Sequence, residues 1–287
     1  MDIVLKQEVL KRRCYKLRHF FGIGTALSQL WKRLPFGSYI LKMHFDAVNR
    51  PSYAFGVYSA CIQAKALGFS KVSVIEFGVA GGNGLVALEE AATQIGQTMD
   101  IDVEIFGFDI VFGLPETSDY RDLIYWFQPK SFDLDEQKLR SQLKRAKLVL
   151  GDIKNTVGSF LDSFKHGPIG FCSFDLDYYS STKAALDVFE GGSNTRLPRV
   201  LCYFDDTVGI SDLNIHCNKV GQLLAIDEFN RGSEMYIGPI HKLRNKRPIK
   251  ADWNEQMYAL HDFKHPLYNK LVNPFDPDQA TRSARLR

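Results

Sequence analysis

The chain of 287 residues is 45% apolar, 13% aromatic and 24% charged, a globular mix that excludes low-complexity disorder. A chain of this length buries enough surface to hold a core without cross-links, and length alone allows one large domain or two small ones. Its apolar runs stay far short of the roughly 20 residues that span a bilayer. The five cysteines are odd in number and lack a C-x-x-C pair. They read as reduced, mostly buried thiols of a cytoplasmic protein, not as a disulfide frame or zinc site.

The net charge of +3 is unevenly spread. Residues 1–50 carry ten Lys/Arg against three Asp/Glu, whereas the other 237 carry 26 against 30. Basic residues through Arg18 precede a short apolar stretch at 20–27. Two glycines within it, and no small-residue cleavage site before Trp31-Lys32-Arg33, argue against a signal peptide. Residues 2–21 predict an amphipathic helix, with Leu10, Cys14, Leu17 and Phe21 on one face and Lys11, Arg12, Lys16 and Arg18 elsewhere. Further helices are predicted over 25–33, stopping before Pro35, and over 52–67, stopping at Gly68. Residues 1–70 thus form a helical extension: a cap, a lid or the contact of a homo-oligomer. Its basic stretch at 6–18 reads first as a solvated face; contact with an anionic membrane surface is the less favoured alternative. Nucleic acid is not expected as a partner, because the rest of the chain is acidic and lacks interleaved aromatic and basic residues.

From residue 71 the pattern changes to strands at 71–77, 103–110, 147–150, 169–174 and 200–204. Helices are predicted between and after them, at 84–95, 156–164, 181–189 and 219–229. This alternation predicts a doubly wound, mostly parallel α/β sheet. Two last strands, at 235–242 and 256–262 with no clear helix between them, predict a closing hairpin. The domain therefore runs over 71–265, followed by a loose tail at 266–287.

The first strand runs into Glu76-Phe77-Gly78-Val79-Ala80-Gly81-Gly82-Asn83-Gly84. A glycine-rich turn between strand and helix brings backbone close to a ligand at a helix N-terminus. The dinucleotide fingerprint G-x-G-x-x-G fails at Ala80 and Asn83, which disfavours a nicotinamide cofactor. An acid two residues before Gly78 instead suits the ammonium of an amino acid, with Gly78, Gly81 and Gly82 lining the ligand. Asp109, at the end of the second strand, is placed to accept both ribose hydroxyls of an adenosine ligand. Asp152, past the third strand, reads equally as an acceptor for the adenine amino group or as a helix N-cap.

Asp175 and Asp177 follow the fourth strand, and Asp205 and Asp206 follow the fifth. Carboxylates gathered at neighbouring strand ends repel unless a cation or protons neutralise them. All-oxygen donors suit Mg²⁺ or another hard divalent ion. An acidic edge of separate helix caps is the bland alternative. There is no histidine between His44 and His166. His216, ten residues past Asp206, is the candidate general base, against the ordinary reading of a loop histidine.

EFGVAGGNG, FGFDIVFGLPE, GDIKNT, FDLDYYSSTKAAL and YFDD together resemble a class I S-adenosylmethionine-dependent methyltransferase, closest to the macrocin O-methyltransferase family of metal-dependent sugar and natural-product enzymes. The resemblance covers about residues 72–230. It implies a Rossmann-like seven-stranded sheet with a terminal antiparallel strand, and S-adenosylmethionine as methyl donor. It also implies Mg²⁺ on Asp175, Asp205 and Asp206, with Asp177 set back or facing the acceptor, a small hydroxylated molecule. Tyr178-Tyr179-Ser180-Ser181-Thr182 stands where the family has Leu-Tyr-Glu-Ser-Thr, so the missing Glu bears on the acceptor. The competing function is a non-catalytic S-adenosylmethionine-binding scaffold of the same fold, which has no reason to keep crowded carboxylates.

Overall fold

A computed structural model describes residues 23–209, 211 and 213–273. The helix expected over 2–21 and the tail beyond 273 lie outside the described residues. Helices α1 (Ile23–Lys32), α2 (Tyr39–His44) and α3 (Pro51–Leu67) open the described chain. The α3 helix starts with Pro at its first turn, where no N–H is needed. It stops at Gly68, whose backbone is left-handed at φ 87° and whose N–H, with that of Phe69, closes on Ala64 and Lys65. Ten of its residues are buried, because it lies on the sheet rather than at the surface.

The sheet is built from β1 (Lys71–Phe77), β2 (Asp102–Asp109), β3 (Lys147–Leu150), β4 (Ile169–Phe174), β5 (Arg196–Phe204), β6 (Tyr236–Pro239) and β7 (Met257–His261). Its order is β3-β2-β1-β4-β5-β7-β6. The first five strands of that order are mutually parallel, and β7 is antiparallel to both neighbours. The expected seven-stranded, doubly wound architecture is therefore present. The antiparallel strand sits one place in from the edge, between β5 and β6. The last two strands pair as expected, but residues 240–256 between them carry a short helix (Leu243–Lys246) and a 3₁₀ turn (Asp252–Asn254), so the connection is not a tight hairpin.

Continuous apolar runs such as KVSVIEF are required by a sheet covered on both faces. On one face lie α3 and α4 (Asn83–Met99), with Val72, Val74 and Phe171 beneath them. On the other lie α6 (Ile153–Asp162), α7 (Tyr179–Leu186) and α8 (Gly221–Gly232), over Phe77, Phe108, Phe174 and Phe204; α5 (Glu136–Gln142) leads into β3. Residues 266–273 do not leave the domain: Leu267 and Val272 pack on the first core, and the Tyr268 hydroxyl pairs with His261 Nδ1 at 2.8 Å. Among the described residues no helix is long and apolar enough to cross a membrane. Cys61, Cys172 and Cys202 are buried free thiols, and Cys217 is exposed.

Candidate active site

The strand order reverses direction between β1 and β4, the point at which open α/β sheets bind ligands beyond their carboxyl ends. A cavity of about 910 Å³ opens there, lined from the β1 loop across to the ends of β4 and β5. Gly78, Gly81 and Gly82 line it, as do Glu76, Asp109, Asp152, Asp175, Asp177, Asp205 and Asp206. The predicted donor and acid residues therefore share one chamber.

Gly78 cannot be another residue without rebuilding the centre. Its φ is +85°, and a Cβ there would collide with the Asp175 carbonyl. The β1 loop is in this way pressed against the end of β4. Asp109 fastens the rest of the loop: its Oδ2 accepts from the Val79 and Ala80 N–H groups at 2.9 Å each, and its Oδ1 from Val111 N–H at 2.6 Å. A carboxylate offers about four lone-pair sites. Three are occupied by backbone. Asp152 serves as the N-cap of α6, its Oδ1 accepting from Lys154 N–H at 2.9 Å.

Glu76 is 1% exposed, although it lines the cavity. Tyr53 donates to its Oε1 at 2.7 Å and in turn accepts from Ser173 Oγ at 2.8 Å. Oε2 is buried without a partner. Burial pushes the Glu76 carboxyl up to about 8, because the charged form has lost water and gained little in return. An ammonium group at Oε2 would reverse that balance.

The four aspartates at the ends of β4 and β5 are electrostatically joined. Burial first and Asp205 second push Asp175 up to about 8, against the pull of Arg50, whose Nη1 lies 3.8 Å from it. The same two causes bring Asp177 to about 7, and Asp206 is raised by burial and by its three acidic neighbours. Two of the carboxylate oxygens accept hydrogen bonds within the protein. Asp205 Oδ1 accepts from the Tyr203 hydroxyl at 2.6 Å, and Asp206 Oδ2 from Asp177 N–H at 3.0 Å. Gln222 receives Asp206 N–H at 3.0 Å and donates to Phe174 O at 3.0 Å. Among the described residues no three His, Cys, Asp or Glu side chains are gathered as a metal-ligating group. The donor set nevertheless fits a hard cation in kind: it is all oxygen, and its charge is only partly offset by Arg50.

His216 is not among the residues lining the cavity. Its Nε2 pairs with Asn214 Oδ1 at 2.8 Å, its Nδ1 is buried without a partner, and burial lowers its pKa. Asn214, which does line the cavity, is what it supports. Two lining residues escape a reading of strand ends. Arg50 reaches the chamber from the start of α3. Asp122, 1% exposed, accepts from Ser180 N–H at 2.8 Å and from Thr117 Oγ1 at 2.8 Å, pinning the 111–134 loop over the start of α7. No pattern of spacing marks either one, since Arg50 meets Asp175 and Asp122 meets Ser180 from far along the chain.

No protein-family profile matches this chain, and no curated protein matches its sequence. Solved structures do match it in fold. The calicheamicin methyltransferase CalS11 is 18% identical with a TM-score of 0.52, over 90% of this chain and 93% of that one. The O-methyltransferase NovP is 13% identical with a TM-score of 0.49, over 74% and 79%. The chain has the Rossmann-like α/β fold of class I methyltransferases and resembles them.

Proposed function

We propose that the protein is an S-adenosylmethionine-dependent O-methyltransferase, acting on a hydroxyl of a sugar or small natural product with help from Mg²⁺ or a similar ion. The observation that carries this reading is the single chamber running from the glycine loop, Glu76 and Asp109 to the acids of β4 and β5. The first end suits an amino acid joined to a nucleoside; the second suits an oxygen that must lose a proton. Asp175, Asp205 and Asp206 would hold the cation, which when bound supplies Lewis acidity toward the acceptor oxygen. The chain's own residues hold the two reactants in register: Gly78 lets the donor's methionine portion pass beside Asp175, and Asn214 borders the acceptor. His216, one residue removed from the chamber, orients Asn214 in this reading rather than moving the proton. The buried free thiols support a reducing, cytoplasmic setting. The exposed Leu27, Leu30 and Phe36 support the extension as a contact between copies.

Calorimetry with S-adenosylhomocysteine and with NAD⁺ tests the donor, with binding expected only for the first. Methyl transfer to a panel of sugars and vicinal diols, with EDTA and with Mg²⁺ restored, tests the chemistry. Asp205→Asn is expected to lose turnover while keeping donor affinity. Full activity in EDTA would remove the metal from the mechanism and leave the methyltransferase standing; failure to bind S-adenosylhomocysteine would overturn the reading itself.

A further inference from the structure

Resting on the methyltransferase reading, we propose that Arg50 is a donor-binding residue: its guanidinium takes the carboxylate of the methionine portion while Glu76 faces the ammonium on the same carbon. The placement of Arg50 is specified by the fold. It caps α3 with a left-handed backbone, φ 44°, ahead of Pro51, and its carbonyl accepts from Tyr53 N–H at 3.0 Å and Ala54 N–H at 3.2 Å. A non-glycine residue held there is an outlier that the surrounding structure must enforce. Tyr53 links the two charges. The Arg50 guanidinium lies 5.5 Å from the centre of its ring, and its hydroxyl is the group bonded to Glu76. One buried side chain thus contacts both a cation and an acid, and both line the chamber with Gly78.

The Arg50 fork is also uncommitted. Its anionic neighbour, Asp175, stands at 3.8 Å, too far for a hydrogen bond. Two buried arginines elsewhere among the described residues show the contrast: Arg196 meets Asp262 at 2.7 Å, and Arg247 meets Asp46 at 2.9 Å. A guanidinium has five N–H donors in a planar fork matched to a carboxylate. With 39% of its side chain open, Arg50 can turn from Asp175 to a ligand without a large rearrangement.

The test is calorimetry in EDTA with S-adenosylhomocysteine and with its decarboxylated analogue, which keeps the ammonium and lacks only the carboxylate. The wild-type protein should bind the analogue about ten- to hundredfold more weakly, the factor expected for a lost charge-assisted pair. Arg50→Met should weaken S-adenosylhomocysteine by a similar factor and leave the analogue unchanged; Arg50→Lys should fall between. Equal weakening of both ligands would make Arg50 a shaper of the chamber and overturn the proposal, as would an unchanged affinity for S-adenosylhomocysteine. Equal wild-type affinity for the two ligands would overturn it without any variant. A wild-type protein that binds neither ligand would overturn the methyltransferase reading, and this inference with it.

Discussion

Asp109 has two tasks with opposite demands. It must hold the Val79, Ala80 and Val111 N–H groups and still offer an oxygen to the ligand. Asp109→Ala should therefore cost donor affinity by about 2–4 kcal/mol, and should also destabilise the fold by about 2–4 kcal/mol, because three partly buried N–H groups lose a charged acceptor. Titration with S-adenosylhomocysteine and urea unfolding read the two effects separately. A loss of affinity with unchanged stability would show that the loop stands without the clamp. The glycine next door is less forgiving. Gly78→Ala must strain a left-handed backbone and push on the Asp175 carbonyl, which should abolish donor binding while the protein stays folded. The acids at strand ends were legible in the sequence because local order alone puts them at the carboxyl edge. The role of Asp109 as a loop clamp was not, since it depends on backbone N–H groups 29 and 30 residues earlier. Arg50 was invisible for the same reason: its meaning comes from Asp175 and from Glu76 beyond Tyr53, which only the folded chain brings to it.

At the level of elements, β1 through β5 follow directly from β-branched and aromatic runs bounded by turns, α4 from its apolar spacing, and α3 from an apolar run stopped at Gly68. What escaped was short. The α2 helix has six residues and α5 has seven, too few turns for a period of 3.6 to stand out. Both are fixed by local caps, Ser38 accepting from Leu41 N–H at 3.2 Å and Asp135 from Lys138 N–H at 3.0 Å. The approach to β3 depends on a partner far away in sequence. Glu89 of α4, 8% exposed, accepts from the N–H groups of Lys144, Arg145 and Ala146, the latter two at 2.8 Å each. Glu89→Ala would leave three poorly solvated donors without an acceptor. It should cost about 3–5 kcal/mol, at roughly 1–3 kcal/mol for each orphaned group with partial relaxation. A shift in urea midpoint at constant slope, together with faster hydrogen exchange along β3, is the expected result; exchange confined to α4 would contradict it.

Across the whole molecule, the helical extension is joined to the far end of the chain by one buried cluster. Arg247 donates to Asp46 Oδ1 at 2.9 Å, to Met43 O at 2.9 Å and to His44 O at 3.0 Å, while Trp253 Nε1 donates to Asp46 Oδ2 at 2.9 Å. The guanidinium also lies against the rings of Phe55 and Trp253. Asp46 has a left-handed backbone at φ 53°, and Arg50, four residues on, has one at φ 44°. The short segment between them carries the strain of turning α2 into α3, and the cluster holds its first residue. Removing one partner of a buried ion pair strands the other charge, so Arg247→Met should destabilise the protein by about 3–5 kcal/mol. Asp46→Asn combined with Arg247→Met should cost less than the two single changes together, since neither charge is then left alone. The effect should reach the site through Arg50. In the folded Arg247→Met protein, affinity for S-adenosylhomocysteine should fall severalfold, and affinity for the decarboxylated analogue should hold. Loss of stability with no such difference between the two ligands would mean that the 46–50 turn keeps its shape without the cluster, and that Arg50 is positioned by Pro51 and Tyr53 alone.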